Sequence, residues 1–318
     1  MHPLAVRLGG ILLAASFPLS SLEAKEPWQL GHGPFTTAAD VREHSRLGQD
    51  LAEIRAAIAG EKPDWSSALA LYAFGKNFKA HAVGGFADNY NGRLGAYLPN
   101  ASKHFGNPSY QNAFLFSALA STGRFARTPD DVRRAAIDAG LTAVAINWCR
   151  YELGEFERKA NKMNPPNWAL TNGSPKNWNE IFAFYYGPEG RHAAFEAIGK
   201  IDGGSEINDR LLTALAEGQE ELVKEKWPPD AARKVAAALD AGSIALLRDA
   251  LKKGESAADG ELALAQARAA GFWLAASETV AASDSEKLKA VEAALSGKPD
   301  RDAFKAALGV LEGFGRER

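Results

Sequence analysis

From residue 38 onward the chain alternates apolar and polar positions with a helical period. Over residues 40–59, Val41, Leu47, Leu51, Ile54 and Ile58 recur at helical spacing, which lines them along one stripe with Arg, Glu and Asp outside it. Gly60 ends the pattern. Lys62-Pro63-Asp64-Trp65 then predicts a helix start, with Asp64 placed to accept from free backbone amides and Trp65, Leu69 and Tyr72 setting the next buried face. The same period predicts helices over 111–121, 129–160, 178–186, 189–198 and 206–225, and Ala-rich helices from 231 to the end. No strand-like alternation competes with it. The fold class is all-α, a helical bundle of antiparallel hairpins.

One hairpin pattern occurs twice. Ala57-Ile58-Ala59-Gly60-Glu61-Lys62-Pro63-Asp64 is echoed by Ala294-Leu295-Ser296-Gly297-Lys298-Pro299-Asp300. Each copy reads as a helix end at Gly, a Lys-Pro-Asp link and a new helix start. The echo raises an internal duplication, although Gly-Lys-Pro-Asp also serves as a general connector. Aromatic, Asn and Gly residues concentrate over 72–190, whereas 230–318 is rich in Ala, Leu, Lys and Glu. The expected division is therefore a helical binding domain at 25–227 and an Ala-rich helical region at 228–318, parted at Trp227-Pro228.

The first 24 residues follow another logic. Arg7, an apolar run from Leu8 to Leu19 and the ending Leu22-Glu23-Ala24 predict a signal peptide at 1–24, and hence a periplasmic or secreted protein. The run is shorter than the roughly 20 residues that span a bilayer, and no membrane span is expected elsewhere. The 37 Lys and Arg against 39 Asp and Glu leave a formal charge of -2, which argues against a nucleic-acid partner. Cys149 is the one cysteine. Neither a disulfide framework nor a multi-cysteine metal site is available, so any metal must be held by oxygen and at most histidine, a donor set that suits hard cations such as iron.

Several polar groups fall where the period assigns apolar ones. Leu141, Ala145, Trp148, Glu152, Glu155 and Phe156 form one stripe of the 129–160 helix. A Glu-x-x-Glu pair on a buried face can converge on one cation, because an unpaired buried carboxylate otherwise costs several kcal/mol or takes up a proton. Glu155 also stands one turn before Lys159, an ordinary salt-bridge spacing. His192 and Glu196 are expected one turn apart on one helix face, a spacing that lets imidazole and carboxylate share a metal or form a solvated pair. Lys76 extends the Trp65, Leu69 and Tyr72 stripe by one turn. Its ammonium could neutralise Glu152 or Glu180, bind an anion, or reach past the helix end into water. The segment from Asn177 to Gly187 surrounds Glu180 with Trp178, Tyr185 and other aromatic side chains, a composition suited to a closed pocket. Gly-x-Ser-x-Gly, His-Glu-x-x-His, a phosphate loop and the repeated Glu-x-x-His of di-iron bundles are all absent.

The order of these motifs resembles a known family. Tyr72-x-x-Gly75-Lys76-Asn77, then Gly84-Gly85-Phe86-Ala87, then Glu152 and Glu155, then Asn177-Trp178-Asn179-Glu180 with its aromatic run to Gly187, is similar to the iron-assimilating periplasmic proteins of green algae and their bacterial relatives. The resemblance covers about residues 60–200. It implies a secreted, helical protein induced at low iron, engaged in iron or bicarbonate-linked uptake, with Glu152, Glu155 and Glu180 as carboxylate ligands. His192 and Glu196 match no motif of that family and rest on spacing alone.

The leading expectation is a non-enzymatic periplasmic protein that binds iron, or a metal-linked small anion such as bicarbonate, with Tyr72, Lys76, Trp178 and Tyr185 lining the site. The alternative is a periplasmic hydrolase or lyase using Glu180 and Glu152 as an acid/base pair. A third reading is a helical interaction scaffold, which the Ala-rich region would suit.

Overall fold

The computed structural model describes residues 28–282 and 285–314 of the chain, and the signal peptide expected at 1–24 lies outside them. The described chain opens with a small ribbon, β1 (Gly31–His32) antiparallel to β2 (Phe35–Thr36), with His32 opposite Phe35. The regular structure described after it is helical. The stripe over 40–59 is shared by α1 (Arg42–Ser45) and α2 (Leu47–Ile58), divided at Arg46. Gly60 turns the chain at φ 80°, and Asp64 caps α3 (Trp65–Phe74) by accepting from the Ser67 amide at 2.9 Å.

Gly75 stops α3 at φ 65°, a conformation open to glycine at little cost. The Gly-rich stretch beyond it holds three short helices, α4 (Val83–Ala87), α5 (Leu94–Tyr97) and α6 (Pro99–Phe105), and leads to α7 (Tyr110–Leu119). The centre of the fold is α8 (Asp130–Glu157), in which every residue over 139–152 is buried. A helix enclosed on all sides needs apolar or paired side chains all round, and a single amphipathic stripe does not describe it. Its C-terminal end widens into a turn over Arg158–Lys162.

Next comes α9 (Ser174–Tyr186), which begins earlier than its aromatic run suggests because Pro175 supplies a preformed first turn. The helix expected over 189–198 is broken. Glu189 and His192 take left-handed φ values of 54° and 65°, Ala193 is extended, and α10 covers only Ala194–Gly199. After α11 (Gly204–Leu222) come α12 (Pro229–Ser256), α13 (Leu262–Ala281), α14 (Ser285–Leu295) and α15 (Arg301–Leu311).

Both α9 and α13 pack against α8. The α8–α13 approach is close enough that a Cβ on Gly271 would stand 2.6 Å from the Cβ of Ala139. The two echoed hairpins share their connector geometry as well as their sequence. Gly297 matches Gly60 at φ 73°, and Asp300 caps α15 as Asp64 caps α3.

Candidate functional site

Two buried carboxyl groups meet where α8 crosses α9. Glu152 comes from the α9-facing side of α8, and Glu180 stands one turn into α9 beyond Asn177. The Asn177 amide bridges them, donating through Nδ2 to Glu152 Oε2 at 2.5 Å and to Glu180 Oε2 at 3.2 Å. One amide nitrogen thus reaches both groups, and like-charged neighbours this close favour a proton on one of them.

The surroundings decide which one holds it. Burial, the charge of Glu180 and their mutual hydrogen bond raise the Glu152 pKa well above the carboxylate range. Burial also works to raise Glu180, but the hydrogen bond and charge of His44 outweigh it and hold Glu180 low. His44 Nε2 lies 2.9 Å from Glu180 Oε1, and Lys176 Nζ lies 3.6 Å from the same oxygen. Protonation is therefore favoured at Glu152 and opposed at Glu180. Two polar atoms here, His44 Nδ1 and Asn177 Oδ1, are buried without a hydrogen-bond partner, an arrangement most folded interiors avoid.

An aromatic floor supports the pair. Phe86 is central to it, with ring centroids 5.2 Å from Phe78, 5.6 Å from Phe184 and 3.9 Å from Trp148. Phe184 follows Glu180 by one turn of α9, and Trp148 precedes Glu152 by one turn of α8. Three further polar rings stand on this floor. His44 packs on Phe78 and Phe184, His81 on Phe78 and Phe86, and Tyr90 on Phe86 and Trp148. His81 Nε2 and the Tyr90 hydroxyl are 2.5 Å apart. Burial first, and His44 second, lower the His81 pKa. At the edge, Lys159 donates to the Asn172 carbonyl at 2.8 Å; burial lowers its pKa against the opposing pull of Glu180, Glu155 and Glu152.

The other residues expected at the site have partners of their own. Glu155 is buried but neutralised, accepting from Arg93 at 3.0 Å, from Tyr97 at 2.6 Å and from Arg158 at 2.7 Å. Lys76 is exposed and paired with Glu53 at 2.8 Å, so the basic side chains beside Glu180 are His44 and Lys176. Tyr72 donates to Asn112 at 2.8 Å, Tyr185 to Asn208 at 2.6 Å, and the Trp178 indole to the Leu215 carbonyl at 2.9 Å. These three fill the core. His192 and Glu196 do not share a helix face, because α10 starts only at Ala194; the Glu196 carboxylate instead accepts from the His192 backbone amide at 2.7 Å and pairs with Lys200. Cys149 is buried, and burial raises its thiol pKa.

His44, His81 and Tyr90 are absent from the sequence-based expectation, and Asn177 enters it only as part of the motif around Glu180. His44 lies within the stripe Val41, His44, Leu47, Leu51, so a polar residue at an apolar position was its available signal. Asn177 sits one turn before Glu180, a spacing that places both on one face. His81 and Tyr90 belong to the Gly-rich stretch, where no period applies.

Among the described residues, no three His, Cys, Asp or Glu side chains are grouped to hold a metal ion. A cation at Glu152 and Glu180 would need a donor of another kind, or solvent, to complete its shell. A family model described as low iron-inducible periplasmic protein matches residues 10–196. Comparison with curated proteins and with solved structures gave no match.

Proposed function

The chain belongs to the family of low iron-inducible periplasmic proteins, and from that premise we propose that it captures iron as cargo for uptake, at the Glu152–Glu180 pair. It is a periplasmic protein, and no described helix is long and apolar enough to cross a membrane. The observation that carries the reading is the pair of buried carboxyls joined through one Asn177 amide, where burial and the charge of Glu180 raise the Glu152 pKa. A hard cation between them removes the like-charge conflict and lets both groups serve as carboxylate donors. The unpartnered His44 Nδ1 and Asn177 Oδ1 fit the same reading, since the site contains more polar groups than it satisfies internally. Where iron arrives with a small anion such as bicarbonate, Lys176 and Lys159 supply the nearby positive charge in place of Lys76.

The test is calorimetric iron titration of the wild type, Glu152→Gln and Glu180→Gln in buffers of different ionisation enthalpy. The wild type should bind with release of the Glu152 proton, and both variants should lose most of the affinity. Unchanged affinity in both variants rejects the site.

A further inference from the structure

We infer that Asn177 is the third protein donor to the cation at this site: its side-chain amide turns over when the cation binds, so that Oδ1 replaces Nδ2 between the two carboxyls. The inference rests on the reading of Glu152 and Glu180 as the iron-binding pair.

The first observation is an idle oxygen. Asn147, Asn177, Asn179 and Asn208 are the buried asparagines among the described residues. Asn147 Oδ1 accepts from Arg150, Asn179 Oδ1 from the Ala38 amide and Asn208 Oδ1 from Tyr185. The amide nitrogen of each also donates, to the carbonyls of Leu274, Pro175 and Phe195 respectively. Asn177 is 5% exposed, yet only its nitrogen is used, and its Oδ1 has no hydrogen-bond partner. An asparagine that serves packing alone uses both ends.

The second observation is distance. Nδ2 lies 2.5 Å from Glu152 Oε2 and 3.2 Å from Glu180 Oε2. A small octahedral cation with oxygen ligands at roughly 2.0–2.1 Å sets neighbouring ligand oxygens about 2.9 Å apart, a spacing that these two distances bracket. Half a turn about the Cβ–Cγ bond exchanges the two ends of the amide and brings Oδ1 to the place that Nδ2 holds.

The third is how Glu180 divides its oxygens. His44 Nε2 and Lys176 Nζ both lie against Oε1, at 2.9 Å and 3.6 Å, which leaves Oε2 to Asn177. The basic side chains thus hold Glu180 from one side and keep off the edge where the cation enters.

The cation itself supplies the reason to turn. Two carboxyl acceptors attract the N–H end of the amide, whereas a cation between them repels N–H and attracts the carbonyl oxygen. The carbonyl lone pair donates to iron, both amide hydrogens stay on nitrogen, and no redox step is needed. Two carboxylates and one amide oxygen form an all-oxygen set suited to a hard cation. Asparagine is also a donor of the kind that a grouping of His, Cys, Asp and Glu does not provide here.

The test loads the full chain with ferrous sulfate under argon and, separately, with ferric nitrilotriacetate, removes excess reagent and measures retained iron and affinity. Asn177→Leu keeps the bulk of the side chain without its oxygen, and should bind at least about tenfold more weakly, the lower end of what loss of even an outer-shell partner costs. Asn177→Asp keeps an oxygen but no donor hydrogen, and should bind at least as tightly as the wild type while its iron-free form melts at a lower temperature. With isotope labels at the asparagine side-chain carbonyls, the infrared spectrum of the wild type should show one carbonyl band shifting on iron loading, and Asn177→Asp should lack that shift. Affinity of Asn177→Leu within about twofold of the wild type, or of Asn177→Asp as weak as that of Asn177→Leu, overturns the inference, because the oxygen then contributes nothing. Iron-loaded wild type without a shifted carbonyl band also overturns it and leaves the carboxylate pair standing, a result that needs no variant to fold. Absence of retained iron on the wild type from both reagents overturns the carboxylate reading and this inference together.

Discussion

Helix α8 carries two buried polar clusters on opposite faces, built on opposite principles. Toward α12 and α13, the Asn147 amide donates to Gln111 at 3.0 Å and to the Leu274 carbonyl at 2.9 Å. Arg150 beside it donates to Asn147 Oδ1 and the Ala275 carbonyl at 2.8 Å, to Asp240 at 2.7 Å and to Ser243 at 3.1 Å. Donors meet acceptors and the cation meets an anion. Toward α9, two carboxyl groups share one Asn177 amide and two polar atoms go without partners. The depth of burial is similar, with Arg150 8% exposed and Glu152 5%. Depth therefore does not separate the faces; completeness does. A satisfied network fixes how helices pack, whereas an incomplete one keeps a cost that a ligand can remove.

The largest expected effect is on the complete face. Arg150→Ala strips the anchor that joins α8 to α12 and α13 and leaves Asn147, Asp240 and the Ala275 carbonyl short of a donor. It should lower unfolding free energy by about 3 kcal/mol, the low end for breaking a buried pair, because Asp240 is partly exposed. Urea denaturation measures it. A loss below about 1 kcal/mol, the level of a surface ion pair, would erase the contrast from this side.

On the incomplete face the sign should reverse. Gln at position 152 reproduces the shape and hydrogen-bonding of a protonated Glu152, offering an oxygen to Asn177 and an amide hydrogen to Glu180. Glu152→Gln should therefore raise the melting temperature of the iron-free protein at neutral pH, by roughly 2 °C or more if the gain approaches 1 kcal/mol, while iron binding is lost. A variant that is both less stable and iron-free would mean that Glu152 is a structural member after all.

The same pair predicts a pH dependence with two arms. The Glu152 pKa is raised above its ordinary 4.5, so its contribution is complete below that value and fades as pH climbs toward the raised pKa. Glu180 is lowered, so its contribution is complete above 4.5 and is lost as pH falls toward about 2. Iron-free wild type should lose stability on the alkaline side of 4.5, and Glu152→Gln should flatten that arm alone. Thermal melts across pH, wild type against variant, read this directly; parallel curves would remove Glu152 as the source.

The contrast between the faces also shows what the sequence made legible. Helices were readable wherever one stripe was apolar, as in α2, α3 and α11. Glu152 and Glu180 stood out as charges on apolar faces, and one Asn177 amide joins them. Two kinds of information were hidden. On an enclosed helix such as α8, every direction is buried, so periodicity does not tell which neighbour Asn147, Arg150 or Glu152 will face. Tertiary placement decides it. In the Gly-rich stretch, His81 and Tyr90 are positioned by left-handed residues at Asn89, Asn91 and Gly92, which leave no spacing rule. The His192–Glu196 spacing failed for a related reason, since it presumed a helix that the left-handed turn at His192 interrupts.

Glu155 supplies the finest test of completeness, because it lies one turn from Glu152 and is equally buried, yet resembles the Arg150 face in its bonding. Arg158 and Arg93 oppose its charge, and Tyr97 donates to it. Burial works to raise its pKa, but the Arg158 and Tyr97 hydrogen bonds win and leave it lowered. A carboxylate already neutralised by two cations gains little from a third, since the incoming iron would have to displace Arg158 and Arg93 first. Glu155→Gln should therefore cost about 1 kcal/mol of stability, its arginine partners being half exposed, and leave iron affinity within about twofold, less than 0.5 kcal/mol. Parallel denaturation and iron titration of this variant check both halves. A large loss of affinity with stability intact would place Glu155 among the iron ligands, and proximity along the helix would then matter more than whether a carboxylate is already paired.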